Sequence, residues 1–561
     1  MSEPRATEPI WPSRLTEAMV ERYTAEGLWT QETMVSTLCR MAEEKPGTLA
    51  VSDGQRGLTW SQLARQARLV GHGLKRMGLC RGDRVIIQLP NWIENIVIRY
   101  ALKRAGLLGV YVPITWRETE VRQVVALAQP RVIVAPTAFG KVDFCRMIER
   151  LRPDFRCLQG GIFVRADGPR SDWAVGWDDL YGGDAERQDD EAEDDGGAFQ
   201  PLEVSLICVS SGSTGAPKLC ESPEGAQLLN GRGMAERLQV TSRDVVGIFA
   251  PLDGGAGLMG WLIAVAAGAR VVLAESFRSE PMLDILERER VSLMATVPAI
   301  LLRILDVSDL SRWDLSALRM VRTGGAALSA PTAVEVERRL KAKVVPAAGS
   351  MEVLTFAQTG LDDPQEIRLN GSVGKPLPGN EVRIVEDDGA PAATGHVGAI
   401  EVRGAGAGSG YLGDLEATRA AWGELGPQGW FRTGDLGEIG EDGHVYIRGR
   451  LKDVVLRGGR NVFPAELESI LMEHRGIREV AVVGIPSEAL GEKTRAYVVP
   501  RSAQELTEEN IREFLEQKQI ATYKIPDEIR FLDELPRLSS AKVNRRKLRS
   551  RGDSTASETK G

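Results

Sequence analysis

The chain contains few of the residues that disulfide frameworks and zinc sites require. Its 561 residues include only six cysteines and four histidines, and no two cysteines form a Cys-x-x-Cys pair. Scattered single cysteines are typical of reduced, buried thiols in an intracellular protein. We therefore expect free thiols and no zinc site at Cys39, Cys80, Cys145, Cys157, Cys208 and Cys220.

Long apolar runs and an excess of positive charge are also missing. No stretch offers about 18 uncharged apolar residues, as a membrane-spanning helix would need. The N-terminal charges Glu3, Arg5 and Glu8 are not followed by the apolar core of a leader. The net charge of −8 is unsuited to a general nucleic-acid or anionic-membrane binder. We expect a cytoplasmic monomer or homodimer that has neither a nucleic-acid nor a membrane partner.

The chain is long enough for several structural units, and its pattern of helices and strands predicts an α/β arrangement. At about 150 residues per domain, its length corresponds to roughly three to four units. Helical periodicity over residues 61–77 and 94–105 alternates with strand-like runs at 84–89 and 108–112. This alternation predicts parallel sheets with helices on their faces. In such sheets, ligands bind beyond the carboxyl ends of the strands.

Two changes of composition divide the chain. An acidic block at 189–195, within a stretch of about 183–198, predicts a solvated linker because like charges repel and bury no apolar area. Near residue 450 a compact α+β pattern of about 100 residues begins. We predict an N-terminal domain over 1–449, a small mobile C-terminal lid over 450–550 and a polar tail over 551–561.

The most informative segment runs from Ser210 to Lys218 and reads Ser-Ser-Gly-Ser-Thr-Gly-Ala-Pro-Lys, directly after the apolar run 204–209. Glycines in such a turn let consecutive backbone N–H groups converge on oxyanions, while hydroxyls and one lysine add donors and charge. The order Pro217-Lys218-Leu219 does not match the Gly-Lys-Ser/Thr end of a Walker loop. The segment predicts a phosphate-binding loop of another type.

This loop resembles the nucleotide loop of the adenylate-forming superfamily, which includes acyl- and aryl-CoA ligases, luciferases and adenylation domains. Further motifs follow in the family's order over roughly residues 35–550. The resemblance implies an α/β fold in which parallel-sheet layers and a β-barrel-like part form the large domain. It also implies that the nucleotide contacts Ser210, Ser211, Gly212, Ser213, Thr214, Gly215, Gly324, Gly325, Gly349, Ser350, Met351, Asp435 and Arg450.

In this resemblance, Glu352 closes the segment Ala347-Ala-Gly-Ser-Met-Glu352 and is the carboxylate associated with Mg²⁺, together with Thr214. Ala348 and Met351 stand where the family commonly has an aromatic residue and a threonine. Asp435, in Trp-Phe-Arg-Thr-Gly-Asp, corresponds to the aspartate that accepts hydrogen bonds from the ribose hydroxyls. A carboxylate suits a vicinal diol because it offers two acceptor oxygens.

The same resemblance assigns roles in the C-terminal part. Lys542, in Ser-Ser-Ala-Lys, corresponds to the lysine that approaches the acid and the α-phosphate, so Lys542, Glu352 and Lys218 are the candidate catalytic residues. Lys452 occupies the hinge position, because it lies within Gly-Arg-x-x-Asp, and Arg450 precedes it. The segment Arg457, Gly458 and Gly459 is expected to line the entrance for the thiol.

Several stretches are most similar to stand-alone aryl-acid ligases, namely residues 11–12 with 23–29, 218–219, 361–363, 374–376 and 380–383. The acid-pocket motif departs from them. Leu252 stands at the histidine or aromatic position and Asp253 at the asparagine that recognises a ring hydroxyl. A partly buried carboxylate needs a donor or a cation as partner, so we predict an amino- or hydroxy-substituted benzoate as substrate. An aspartate that only caps its own loop is the alternative.

The acid pocket predicted in this way consists of Asp253, Gly254, Gly257, Gly324 and Ala348. The resemblance implies ATP and Mg²⁺ as cofactors and a carboxylic acid as substrate. The acid becomes an acyl-adenylate, and a thiol then displaces AMP.

Four functions stay open from the residues alone. The first is an aryl acid–CoA ligase. The second is a stand-alone adenylation enzyme that loads a carrier protein's phosphopantetheine instead of CoA. The third is a degenerate nucleotide-binding protein, suggested by Ala348, Met351 and Ala541, and the fourth is a phosphotransferase that releases ADP.

Overall fold

The computed structural model describes residues 14–165, 172–181, 199, 203–210, 217–424, 426, 428–487, 490–501, 506–538 and 542–550. The predicted acidic linker, the polar tail and residues 11–12 lie outside these ranges. In the described part of the chain, no helix is long and apolar enough to cross a membrane. All six cysteines are free.

Sixteen α-helices lie within the described ranges. They are α1 (Glu17–Ala25), α2 (Met34–Glu44), α3 (Trp60–Arg76), α4 (Ile93–Ala105), α5 (Glu118–Ala128), α6 (Phe144–Leu151), α7 (Glu224–Arg237), α8 (Gly255–Ala267), α9 (Ser279–Arg288), α10 (Pro298–Leu305), α11 (Ala330–Leu340), α12 (Gln365–Arg368), α13 (Leu415–Trp422), α14 (Pro464–Leu471), α15 (Glu508–Gln517) and α16 (Arg545–Ser550).

The described strands number 28. The first half comprises β1 (Leu49–Ser52), β2 (Gly57–Thr59), β3 (Arg84–Ile87), β4 (Leu108–Tyr111), β5 (Val132–Pro136), β6 (Ala138–Phe139), β7 (Val142–Asp143), β8 (Gly160–Val164), β9 (Ala174–Gly176), β10 (Val204–Ser210), β11 (Lys218–Pro223), β12 (Val245–Ile248), β13 (Arg270–Leu273) and β14 (Leu293–Thr296). The second half comprises β15 (Met320–Gly324), β16 (Lys343–Ser350), β17 (Leu354–Gln358), β18 (Ser372–Pro376), β19 (Asn380–Val385), β20 (Gly398–Gly404), β21 (Gly410–Tyr411), β22 (Phe431–Ile439), β23 (Val445–Arg450), β24 (Val455–Arg457), β25 (Arg460–Val462), β26 (Ile477–Ser487), β27 (Gly491–Pro500) and β28 (Glu528–Phe531).

Local sequence explains the helices that the periodicity predicts. Helix α3 begins after Thr59, whose side chain accepts from the backbone N–H of Gln62, while the Gln62 side chain accepts from the Thr59 N–H. This reciprocal capping box satisfies two donors that a helix start otherwise leaves free. Leu63, Ala67 and Val70 recur at helical spacing on the buried face of α3. Helix α4 ends at Gly106, which adopts a left-handed conformation with φ of 70°.

Two large sheets form the N-terminal part. One has the strand order β21-β11-β10-β4-β3-β5-β8-β9, with parallel pairing from β10 to β9. The other has the order β19-β20-β22-β23-β18-β17-β16-β15-β14-β12-β13-β1-β2, with parallel pairing from β16 to β1. The antiparallel strands expected to form a barrel-like part extend this second sheet. Helices α3, α4, α7 and α8 contribute to the largest hydrophobic core, which also includes residues of both sheets.

The C-terminal part has a sheet of its own, in which β25, β24, β27, β26 and β28 pair with one another. Its hydrophobic core includes Leu467 and Leu471 of α14, Ile511 and Leu515 of α15, and Val498 of β27. The α/β fold with a small α+β C-terminal domain is thereby confirmed. The boundary between residues 449 and 450 stays a prediction.

Candidate active site

Strands β10 and β11 bring the two ends of the predicted phosphate loop together. Ser210 is the last residue of β10 and lies opposite Lys218, the first residue of β11, in an antiparallel pair. The two strands therefore fix both ends of the loop, beyond the carboxyl end of β10, where the sequence places it. The remaining predicted loop contacts, Ser211, Gly212, Ser213, Thr214 and Gly215, lie outside the described residues. Their roles stay predictions.

Tyr411 of β21 joins Lys218 to Glu352. Its hydroxyl donates a hydrogen bond to Glu352 Oε1 at 3.1 Å. The Lys218 Nζ atom lies 4.6 Å from the centroid of the Tyr411 ring, within the range of a cation–π contact. Two predicted catalytic residues that are 134 positions apart in the sequence therefore share one aromatic neighbour.

Glu352 lies in the turn between β16 and β17, and its backbone is fixed from outside that turn. Its carbonyl accepts from the Gly408 N–H at 2.8 Å. A Cβ atom on Gly408 would lie 2.6 Å from that same carbonyl oxygen, so only glycine permits this approach. The close approach brings the segment that ends in Tyr411 against the Glu352 turn.

A magnesium ion fits this arrangement. Among the described residues, no group of three or more His, Cys, Asp or Glu side chains could hold a metal by itself. Mg²⁺ in nucleotide sites usually binds through one or two carboxylates, waters and the substrate's phosphates. The single carboxylate of Glu352, which lies near Lys218 through Tyr411, is a suitable oxygen donor for an ion that arrives with ATP.

Backbone geometry favours glycine at three of the predicted nucleotide contacts, in or next to β15 and β16. A Cβ on Gly349 would lie 1.9 Å from the Leu354 carbonyl oxygen, and one on Gly324 would lie 3.0 Å from the Ala347 carbonyl oxygen. Gly325 has φ of +81°, which side-chain-bearing residues rarely adopt. Ala348 is buried, Met351 is half-buried against the main core, and the buried Ser350 Oγ has no hydrogen-bond partner in the described ranges.

Asp435 and Arg450 face each other on β22 and β23. They are direct partners in the antiparallel pair, and Arg450 Nε lies 2.8 Å from Asp435 Oδ1. Burial raises the pKa of the Asp435 carboxyl, and the positive charge of Arg450 opposes this shift. The pair is charged and can form hydrogen bonds, and the positive charge of Lys542 also acts on Asp435.

Lys542 lies against the glycine turn at the end of β15. Its Cε atom is 3.8 Å from the position that a Cβ would take on Gly325. The residue is accessible to solvent, but protein atoms crowd its ammonium group, and this burial together with Arg450 lowers its pKa. The carboxylates of Asp435 and Glu352 act in the opposite direction. The C-terminal domain therefore places Lys542 among the predicted nucleotide contacts.

Asp253 lies in the turn that precedes α8. Burial raises the pKa of its carboxyl to about 6, although Arg99 opposes the shift. In the part of the chain that the structure describes, no cation lies within ion-pair distance of it. Gly254 and Gly257 pack close to the Pro251 carbonyl oxygen, where a Cβ would lie 3.3 Å and 2.2 Å away. Gly257 is thus required by the tight turn itself.

Arg99 of α4 contacts the turn that precedes α8, and it was not predicted from the sequence. It is 1% exposed, and its guanidinium carbon lies 3.9 Å from the Tyr111 ring centroid. Its Nη2 donates to the Leu252 carbonyl at 3.1 Å. Burial lowers its pKa. An arginine inside the apolar face of a helix is the sequence signal that could have identified it.

Tyr411 was also missed by sequence reasoning. It follows a run of alternating small residues, Gly404-Ala-Gly-Ala-Gly-Ser-Gly410. An aromatic residue after such a run is a usable signal, because closely packed glycines bring the backbone near a site. Its partner could not be read from the sequence, since Glu352 lies 59 residues earlier.

The predicted hinge and thiol entrance lie next to each other in the chain. Lys452 lies in a single turn of 3₁₀ helix at 451–453, and its carbonyl accepts from Arg549 at 3.3 Å. Gly458 and Gly459 form the turn of the β24–β25 hairpin, with φ of 56° and 77°. Arg457 pairs with Asp527 at 2.6 Å, and this partner raises its pKa. Arg457 is thus held within the C-terminal domain.

Comparisons with known proteins show the family to which the chain is similar. The family model described as AMP-binding enzyme matches residues 38–412, and the model for the AMP-binding enzyme C-terminal domain matches residues 466–542. Indoleacetate–CoA ligase from Aromatoleum aromaticum is 34% identical over 90% of this chain and 95% of its own length. Pyochelin synthase PchD from Pseudomonas aeruginosa is 30% identical over 97% of this chain and 96% of its own length.

The solved structures include that of the anthranilate CoA ligase AuaEII in complex with anthranoyl-AMP. It superposes with a TM-score of 0.84 at 25% identity and covers 94% of this chain and 98% of its own. The family models span the phosphate loop, the Glu352 turn and the C-terminal domain, in the order that the resemblance implies. The chain therefore belongs to the AMP-binding enzyme family and is an AMP-forming acid–thiol ligase.

Proposed function

We propose that the protein activates a benzoate-like acid carrying an amino or hydroxyl group, and transfers the acyl group to the thiol of coenzyme A. The carrying observation is the half-buried carboxylate of Asp253, whose pKa is raised by desolvation to about 6 and which has no ion-pair partner among the described residues. A carboxylate that is largely removed from water and has no cation beside it is costly, so a substrate N–H or O–H that donates to it gains affinity.

The known ligand of one structural neighbour supports this substrate class. Anthranoyl-AMP, the adenylate bound to AuaEII, derives from an aminobenzoate. Another relative is named 2,3-dihydroxybenzoate-AMP ligase and is 28% identical over 96% of this chain. Both names describe benzoates with a hydrogen-bond donor on the ring, which is the chemistry that Asp253 accepts.

The residues then divide the work of the first step. Carboxylate attack on the α-phosphate forms the acyl–AMP bond and breaks the bond to pyrophosphate. Lys218 and Lys542 provide positive charge where negative charge develops on the phosphate oxygens. Asp435 accepts from the ribose hydroxyls, with Arg450 holding its carboxylate in place. A magnesium ion, when bound at Glu352, supplies further charge stabilisation to the phosphates.

The second step requires a thiol to reach the adenylate. The sulfur attacks the acyl carbon, AMP leaves, and the thiol proton is lost to solvent. In this structure Lys542 lies against Gly325, which is the arrangement suited to the first step. We propose that rotation near Lys452 removes Lys542 from the site and brings the Arg457–Gly459 hairpin toward it.

A pyrophosphate-exchange screen tests the proposal. Wild-type protein is assayed with benzoate, 2-aminobenzoate, 2-hydroxybenzoate, 3-hydroxybenzoate and octanoate, and products with CoA or a pantetheinylated carrier protein are identified by mass. Exchange that is strongest with an amino- or hydroxybenzoate, followed by an acyl-CoA product, is the expected result. Equal exchange with benzoate contradicts the substrate class, and acyl transfer to the carrier protein alone contradicts CoA as the acceptor.

The variants Asp253→Ala and Asp253→Asn test whether Asp253 itself sets the substrate preference in this screen. Both variants should lose the preference for substituted over unsubstituted benzoate, by about 10-fold or more if one hydrogen bond to a charged group is lost. Asp387→Asn, at an exposed position after β19, is the matched control and should retain wild-type preference. Unchanged selectivity in Asp253→Ala would leave this aspartate as a cap of its own loop.

A further inference from the structure

Contacts within the protein alone hold Tyr411 rigidly. It is 4% exposed and lies opposite Cys220 in the β11–β21 pair. Its backbone N–H donates to Thr418 Oγ1 at 3.0 Å. Its ring packs edge-to-face against Trp422, with centroids 5.7 Å apart. A side chain fixed in this way can orient the groups that it contacts.

The two ends of this side chain meet different charges. The hydroxyl donates to the Glu352 carboxylate at 3.1 Å, and the ring face lies 4.6 Å from the Lys218 ammonium. Glu352 and Lys218 come from different elements, the β16–β17 turn and the start of β11. Their common neighbour therefore fixes one relative to the other.

We propose that Tyr411 is a positioning residue that orients Glu352 for the metal-bound nucleotide through its hydroxyl and holds Lys218 through its ring. This inference rests on the proposed acid activation, and it adds a residue to which neither motif nor family resemblance assigned a role. Residues that hydrogen-bond to a metal-ligating side chain commonly set its orientation and its affinity for the metal.

The chemistry of its hydroxyl suits Tyr411 to this role, because the hydroxyl donates to Glu352 Oε1 at 3.1 Å. A buried tyrosine hydroxyl needs a partner, whereas phenylalanine does not. The packing against Trp422 requires only the ring. A purely structural role for Tyr411 would therefore require its ring but not its hydroxyl.

Nucleotide binding measured by calorimetry tests the inference without relying on turnover. The probe is a non-hydrolysable ATP analogue with a methylene bridge between its α- and β-phosphates, titrated with Mg²⁺ or with EDTA. Tyr411→Phe should lose about 10- to 100-fold of the affinity that Mg²⁺ adds, while metal-free binding is unchanged. Tyr411→Leu also removes the ring that faces Lys218 and should weaken metal-free binding as well.

Tyr446→Phe is the matched control. Tyr446 lies on β23 with Arg448 against its ring, so it offers a similar aromatic and cationic environment away from Glu352. It should bind both forms of the analogue as wild type does. A Tyr411→Phe variant that also binds both forms as wild type does would overturn the inference.

A double variant gives a second, independent reading. Glu352→Gln removes the charge that binds the metal, so adding Tyr411→Phe to it should change magnesium-dependent binding little further. Full additivity of the two effects would overturn the inference, even if Tyr411→Phe proved less stable than wild type. The exchange screen on wild type tests the proposed function separately, because it does not involve these variants.

Discussion

Asp435 and Arg450 form an ion pair across two neighbouring strands, with Oδ1 and Nε 2.8 Å apart. A second ion pair, Glu438 with Arg448 at 2.6 Å, lies on the same two strands. The two pairs have similar chemistry, and the positive charge of Lys542 acts on Asp435. Glu438 and Arg448 therefore form a suitable control for the candidate functional pair of Asp435 and Arg450.

Asp435→Asn should raise the KM for ATP by about 10- to 100-fold, because a hydrogen bond to a charged group is worth about 1.5–3 kcal/mol. The uncharged amide also frees Arg450 and offers one acceptor oxygen where the carboxylate offers two. The measurement is the ATP dependence of pyrophosphate exchange. Glu438→Gln should stay within about twofold of wild type, and equal effects of the two substitutions would count against a ribose contact at Asp435.

Lys542→Ala should reduce acid activation by about 100- to 1000-fold, as expected for the loss of one charged group that stabilises the transition state. The effect should fall on kcat, since ATP also contacts other groups. Transfer from a chemically prepared acyl-adenylate to CoA should be affected much less. Lys547→Ala, on the exposed face of α16, is the control. An exchange rate near that of wild type in Lys542→Ala would exclude the proposed role.

The affinity for the acid should depend on pH through Asp253. Its pKa is about 6, so the carboxylate is mostly ionised at pH 7.5 and mostly protonated at pH 5. The KM for an amino- or hydroxybenzoate should therefore rise as the pH falls through about 6, while the KM for benzoate changes less. Asp253→Asn should flatten this difference. The same pH dependence for all acids would point to another group.

The same shift predicts a change in stability. The pKa of Asp253 in the folded protein is above its usual value of 3.8, so the protonated form is favoured on folding. The stabilising effect is complete below about pH 4 and is lost as the pH rises through about 6. Asp253→Asn should therefore gain stability relative to wild type at pH 8, on the order of 1–3 kcal/mol, with little difference at pH 4. Thermal unfolding at the two pH values measures it.

Lys103 and Glu224 form a buried ion pair whose disruption should cost far more than that of a surface pair. Lys103 Nζ lies 2.5 Å from Glu224 Oε2, and both side chains are nearly inaccessible. Burial lowers the pKa of Lys103, opposed by Glu224. Glu224→Gln should destabilise the protein by about 3–5 kcal/mol, because it leaves a buried ammonium without a counter-charge.

Adding Lys103→Met to Glu224→Gln should restore much of this stability, since the double variant buries no isolated charge. The urea-unfolding midpoint of the N-terminal part measures both effects. Arg478→Ala, which removes an exposed pair with Asp306, should cost less than about 1 kcal/mol. A double variant that is less stable than Glu224→Gln would contradict the charge explanation.

Much of the fold was predictable because it depends on local patterns. The helix predicted over 61–77 is α3 at Trp60–Arg76, and the strand predicted over 84–89 is β3 at Arg84–Ile87. The compact α+β pattern predicted to begin near residue 450 is also present, and it includes α14, β26, β27 and α15. Hydrophobic periodicity and capping residues act within one turn or one strand, so the sequence displays them directly.

The chemical identity of the enzyme was likewise readable from contiguous segments. The Ser210–Lys218 loop, Glu352, Asp435 and Lys542 occur in an order that carries the family resemblance, and the family is confirmed by the matched models. Only the tertiary structure decided which of these residues meet. Tyr411 reaches Glu352 through close backbone packing at Gly408, Lys542 reaches Gly325 through the placement of the C-terminal domain, and Arg99 reaches the Leu252 carbonyl across 153 residues. Such contacts depend on how separate elements pack, and no local spacing in the sequence encodes that.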